Sequence, residues 1–122
     1  MTKTYFTNLS DDGLKALKKI APFRKYSANA LLHYQGQRPI VAYVVLKGKI
    51  LLLKKSKVLQ KLTKGYIVGY RELFLNLPSP FTAKTLINSE ICFIDKSTLL
   101  EIQASQIEEI QQLYSELKNA VE

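Results

Sequence analysis

Between Ala30 and Asp95 the chain is written in short apolar runs, such as "IVAYVVL" (Ile40 to Leu46), "ILLL" (Ile50 to Leu53) and "EICFID" (Glu90 to Asp95). They are broken by "QGQRP", "KGK", "TKG", "LPSP" and "NSE", with no helical period. Short β-branched, aromatic and leucine runs bounded by turn residues predict strands, here near 30–34, 39–46, 49–55, 57–62, 66–69, 82–87 and 90–95. Many short strands joined by tight turns in so small a chain predict a jelly roll or a related sandwich.

The pattern changes at both ends. Ser10 is a candidate N-cap for a helix through Ile20, with Leu14, Leu17 and Ile20 on one side and Lys15, Lys18 and Lys19 elsewhere. After the strands, Asp95 caps a short helix. Ser105-Gln106-Ile107-Glu108 then has the form of a capping box, predicting a second helix that runs to the end of the chain. Its apolar residues Ile107, Ile110, Tyr114, Leu117 and Val121 are spaced three, four, three and four apart, and Leu113 widens the stripe. That spacing fits a coiled-coil seam with a second copy, and it equally fits an amphipathic helix lying on the chain's own β unit. The expected fold is mainly β with flanking helices: a double-stranded β-helix (jelly roll) at about 30–95, a helix at 10–20 before it, and helices at about 96–122 after it. The last is a long dimerisation helix, and the whole is one domain over 1–122.

Composition narrows the chemistry. Of 122 residues 47% are hydrophobic, enough for one core. The apolar runs are too short to cross a bilayer and "MTKTYFTNLSDDG" lacks the apolar stretch of a signal peptide, so the expected location is cytoplasmic, with no membrane partner. A single cysteine, Cys92, excludes an internal disulfide and all-cysteine zinc or iron–sulfur sites. One histidine, His33, defeats a cupin-type metal centre, so neither a metal nor a cofactor is expected. No Walker loop or Ser/His/Asp constellation can be assembled, so no catalytic residue is assigned and an enzyme is not expected. The net charge of +8 is uneven: residues 101–122 carry Lys118 against five glutamates, whereas the first hundred carry seventeen bases against five acids. Such a body draws anions. Lys47, Lys49, Lys54, Lys55 and Lys57 flank strands, however, where solvated faces and protected edges explain them without a ligand.

In order, the short helix, "YVVLKGKILLL", the turn "KGYIVGY", the loop "LPSPFTAKT", the strand ending "CFID" and the terminal helices resemble the cyclic-nucleotide-binding domain of Crp/Fnr-family bacterial transcription regulators. The resemblance spans nearly the whole chain. It implies that Gly65 and Gly69 open a phosphate-binding cassette, in which the family places a ribose-binding glutamate after the second glycine and a phosphate-binding arginine after a proline. Here those positions are Tyr70 and Ser79. Neither offers a charge-assisted bond, so cyclic AMP is not expected to bind. The degenerate site comprises Gly65, Gly69, Tyr70, Arg71, Glu72, Ser79, Thr82 and Lys84, with Glu72 and Arg71 or Lys84 as the charges that a divergent nucleotide site would use.

The resemblance further implies a sensor that forms a homodimer through Ile107, Ile110, Leu113, Tyr114, Leu117 and Val121, and that reaches DNA only through a C-terminal helix-turn-helix. No recognition helix follows in a chain that stops at Glu122. The expectation is therefore a fragment of a longer regulator with an unknown small-molecule effector, or else a stand-alone interaction adaptor of the same fold.

Overall fold

The computed structural model describes residues 6–118. Among the described residues nine strands form two antiparallel sheets. The first has the order β1 (Phe6–Asn8), β7 (Tyr66–Val68), β4 (Val41–Lys47), β9 (Ser89–Asp95), β2 (Phe23–Tyr26). The second runs β3 (Leu31–His33), β8 (Thr82–Thr85), β5 (Ile50–Lys54), β6 (Lys57–Leu62). The predicted strands are all present. Two more, β1 and β2, lie outside the region expected to be β, and at three and four residues they are too short for an alternation to show.

The unbroken apolar run of β4 follows from its burial on both faces. Ala42, Val44 and Leu46 join a core shared with the helices, while Tyr43 and Val45 point into the roll with Ile50, Leu52, Leu62, Val68, Phe81 and Ala83. β9 divides the same way, Cys92 and Ile94 toward the helices and Ile91 into the roll. Cys92 is buried, and burial pushes its thiol up to about 11, so it behaves as a small apolar side chain.

Helix α1 (Asp11–Ile20) starts where expected: the Ser10 hydroxyl accepts the Gly13 N–H at 3.0 Å. Leu14 and Leu17 are buried beneath it. Asp95 caps α3 (Lys96–Ala104) by accepting the Thr98 N–H at 2.7 Å, which holds its carboxyl below the usual range. The capping box at Ser105 does not form. Ser105 Oγ accepts instead from Ile107 N–H at 3.1 Å, and α4 spans Glu108–Lys118, with the Ile107 carbonyl receiving its first bonds.

The apolar stripe of α4 faces inward. Ile110, Leu113 and Leu117 are buried in the helix-side core against α1, Tyr114 is half-buried, and Ile107 stays 62% exposed. Val121 lies outside the described residues. Of the two partners that the spacing left open, the buried residues have the chain's own body as theirs: over two heptads, a period of 3.5 and one of 3.6 cannot be told apart. Glu116 fastens the arrangement. Its carboxylate accepts from Ser10 N–H at 2.7 Å and from Ser10 Oγ at 3.0 Å, placing a negative charge at the positive end of α1. Among the described residues no helix is long and apolar enough to cross a membrane.

Candidate ligand cassette

The two glycines of the cassette bracket β7. Gly65 and Gly69 have φ of +94° and +84°, the left-handed region that glycine enters without a Cβ penalty. Gly69 opens a helix that was expected to be loop and strand, α2 (Tyr70–Leu75), closed by Asn76 in the same left-handed region. Six residues show no period, yet Gly and Asn at the two boundaries are the available signal.

The helix alters what each side chain can reach. Tyr70 does not stand in the roll. It is 1% exposed within the helix-side core, its ring stacks on Phe74 at 6.1 Å, and burial pushes its hydroxyl up to about 12. Two residues on, Glu72 is likewise buried, and loss of solvation raises its carboxyl above the usual range. On a strand, positions 70 and 72 would share a face; on a helix they are about 200° apart. Arg71 is half-exposed on α2.

Ser79 is 4% exposed and fully engaged. Its hydroxyl donates to the Phe81 carbonyl at 2.8 Å, accepts the Phe81 N–H at 3.2 Å and lies 2.8 Å from His33 Nε2. With the hydroxyl proton on Phe81, the His33 Nε2–H donates to Ser79, which leaves Nδ1 as the bare acceptor. Burial lowers the His33 pKa and keeps the ring neutral, and it stacks on Tyr43 at 5.8 Å. The resemblance places an arginine at position 79, and the observed replacement is a neutral, buried Ser79–His33 pair. His33 lies on β3. Nothing local in the sequence ties it to a serine 46 positions away.

Thr82 and Lys84 are held elsewhere. Alternation along β8 puts Ala83 into the roll and its two neighbours on the outer face, where Thr82 Oγ1 accepts from Gln35 N–H at 2.9 Å. Lys84 lies between Leu31 and Leu51 in the outer cross-strand row. Gly69, Tyr70, Arg71 and Glu72 thus sit along one turn and helix, Gly65 in the turn before β7, Ser79 with His33 on the roll side, and Thr82 and Lys84 outside it. Three buried side-chain atoms have no hydrogen-bond partner among the described residues: His33 Nδ1, Tyr70 Oη and Glu72 Oε2. All three belong to residues of the cassette or to the histidine bonded to it. No His/Cys/Asp/Glu group among the described residues could hold a metal ion.

The family model of the cyclic nucleotide-binding domain matches residues 23–106. The chain belongs to that family. Its fold is similar to the catabolite activator protein of Thermus thermophilus, with a TM-score of 0.71 at 18% identity over 93% of this chain and 53% of that one. The chain thus spans about half the length of the Thermus protein. It is also similar to the N-terminal domain of a transcriptional regulator from Streptomyces coelicolor A3(2), with a TM-score of 0.66 at 19% identity over 93% of this chain and 76% of that one. A cyclic nucleotide-binding-like protein from Brucella abortus gives 0.68 at 21% identity, over 79% of this chain and 86% of that one. No curated protein matches the sequence significantly.

Proposed function

We propose that this domain is a cytoplasmic, non-enzymatic sensor of the Crp/Fnr kind that keeps the cassette's architecture but does not hold cyclic AMP or cyclic GMP by the usual anchors. The observation that carries this reading is the Ser79 hydroxyl, buried and occupied by His33 and the Phe81 main chain where a phosphate needs a cation. A guanidinium grips phosphate with two charge-assisted bonds, and a neutral serine–histidine pair provides neither. Calorimetry should therefore find cyclic AMP and cyclic GMP no tighter than about millimolar. Ser79→Arg, paired with His33→Ala to make room, should create measurable binding. A low-micromolar constant in the parent would overturn the reading. Tyr70→Glu is a poor partner for that test, because it would bury a carboxylate in the helix-side core.

Glu72 favours a second reading, a divergent nucleotide module. A buried carboxylate with one oxygen unpartnered suits a ligand hydroxyl, and micromolar binding abolished by Glu72→Ala would establish it.

The likeness to Crp/Fnr regulators also supports a homodimer that acts on DNA through a separate domain. With Ile110, Leu113 and Leu117 committed to the chain's own core, Ile107 and Tyr114 are the part of the seam with surface to spare. Light scattering decides it: Ile107→Glu should leave a folded monomer if the helix pairs there. The basic body on its own should bind DNA only weakly, without sequence preference and with steep loss on adding salt.

A further inference from the structure

The lysines of the first sheet are not all solvated edges. Lys25 on β2, Glu90 on β9 and Lys47 on β4 are paired neighbours in one cross-strand row, on the same face as Cys92 and the helix-side core. Lys18 from α1 and Lys64 from the β6–β7 turn converge on the same corner, and with Phe23, Leu46, Lys47 and Glu90 they line a cavity of about 420 Å³. A second cavity of about 440 Å³ shares Lys47 and Glu90 and is lined by Lys25, Tyr26 and Ser89 among others. The corner thus has an apolar floor, a phenyl ring that is 50% exposed, and four ammonium groups around one carboxylate.

We propose that this corner binds a nucleoside polyphosphate. The ion pairs already present do not hold the lysines: Lys47 reaches Glu90 only at 3.8 Å and Lys64 reaches Asp11 at 3.6 Å, with both ammonium groups largely exposed. Such pairs contribute little, so the ammonium groups are free to turn onto a ligand. Lysine acts on phosphate as a mobile point charge, and groups approaching from four directions suit a chain of phosphates better than a single one. Phe23 offers a face for a base to stack on, and Glu90 is an acceptor for an amino or ribose hydroxyl donor. Cavities of this size take small molecules, and the lysines surround a depression instead of tracking a stripe as a nucleic-acid strand would need. The corner adjoins the cassette at Gly65, next to Lys64, but lies away from Gly69 and α2: Gly69 lies against Val41 and Ala42, and β4 runs roughly 20 Å from there to Lys47 at about 3.3 Å per residue. The proposal therefore stands or falls independently of cyclic-nucleotide binding.

Calorimetry on the full chain with ATP, inorganic triphosphate, adenosine and a short single-stranded oligonucleotide tests it. ATP should bind more tightly than triphosphate, and adenosine not measurably. Lys47→Gln with Lys64→Gln should weaken ATP by about tenfold or more. Phe23→Ala should bring ATP down to the level of triphosphate. Lys57→Gln with Lys61→Gln, an equal charge change on β6, should leave ATP binding unchanged. All the altered corner residues are at the surface, and thermal unfolding verifies that the variants stay folded. The proposal is overturned if ATP shows no binding at about millimolar concentration, if Lys57→Gln with Lys61→Gln weakens it as much as the corner pair does, or if the oligonucleotide binds far more tightly than ATP.

Discussion

The two sides of β4 and β9 are built from opposite materials. Toward the helices, the core of Leu14, Leu17, Val44, Ile94, Leu113 and Leu117 is apolar and closed, with the Tyr70 hydroxyl and the Cys92 thiol among its few polar atoms. Toward the roll, β4 presents Tyr43 to a stacked His33, which is tied to Ser79 and leaves Nδ1 without a partner. The helix side is optimised for packing. Cassette residues on both sides retain buried polar groups that packing alone does not require, and a family that binds ligands in this region gives a reason for them. Stability should therefore be concentrated on the helix side, and sensitivity to pH and ligands in the cassette.

The largest test of that contrast is to damage the helix side. Leu113→Ala, at a fully buried position, should cost about 2–5 kcal/mol in chemical denaturation. Leu117→Glu should go further and unfold the domain, because the carboxylate would be buried without a partner. If Leu117→Glu instead gave a folded monomer from a parental dimer, α4 would be an intersubunit helix and its packing on α1 would not describe the protein in solution.

The second test separates the two cassette glycines. A Cβ on Gly65 would collide with Asn8 Oδ1 and stand 3.0 Å from the Leu9 carbonyl, whereas on Gly69 the nearest atom is Val41 O at 3.8 Å. Gly69→Ala should thus cost only the left-handed backbone penalty, roughly 1–2 kcal/mol, and Gly65→Ala clearly more. Equal losses would mean that the β1–β7 contact contributes nothing to holding the turn.

The sequence made the roll legible because its strands are long enough to show runs and its turns carry Gly and Pro. It made α1 and α3 legible because Ser10 and Asp95 cap them. The α4 stripe was visible, but its partner was not, since periodicity reports an apolar face without saying what covers it. The helix that carries Tyr70 and Glu72 was not legible, because six residues are too few to show a period. The Ser79–His33 contact is long-range, and only the folded sheet brings β3 beside the loop before β8.

The smallest expected effects are in pH dependence, and two of the buried titratable groups at the cassette, His33 and Glu72, act in opposite directions. Burial lowers the His33 pKa, so below about 6.5 the unfolded chain takes up a proton that the native ring resists, and stability falls as pH drops from there toward the native value. Burial raises the Glu72 pKa. The native state therefore holds its proton longer, and stability falls as pH rises from the unfolded carboxyl range, about 4.3, through the native value. His33→Gln, which keeps a donor for Ser79, should flatten the loss on the acidic side. Glu72→Gln should raise the melting temperature at neutral pH relative to the parent, with the gain shrinking as pH falls below about 4, where the parental carboxyl becomes neutral in both states. A ligand hydroxyl or cation meeting Glu72 Oε2 would reverse that ordering, because the ionised form would then be the stabilised one. Melting curves of parent and Glu72→Gln across this range, with and without added nucleotide, consequently report whether the buried carboxylate is an unfilled acceptor or only a cost to the fold.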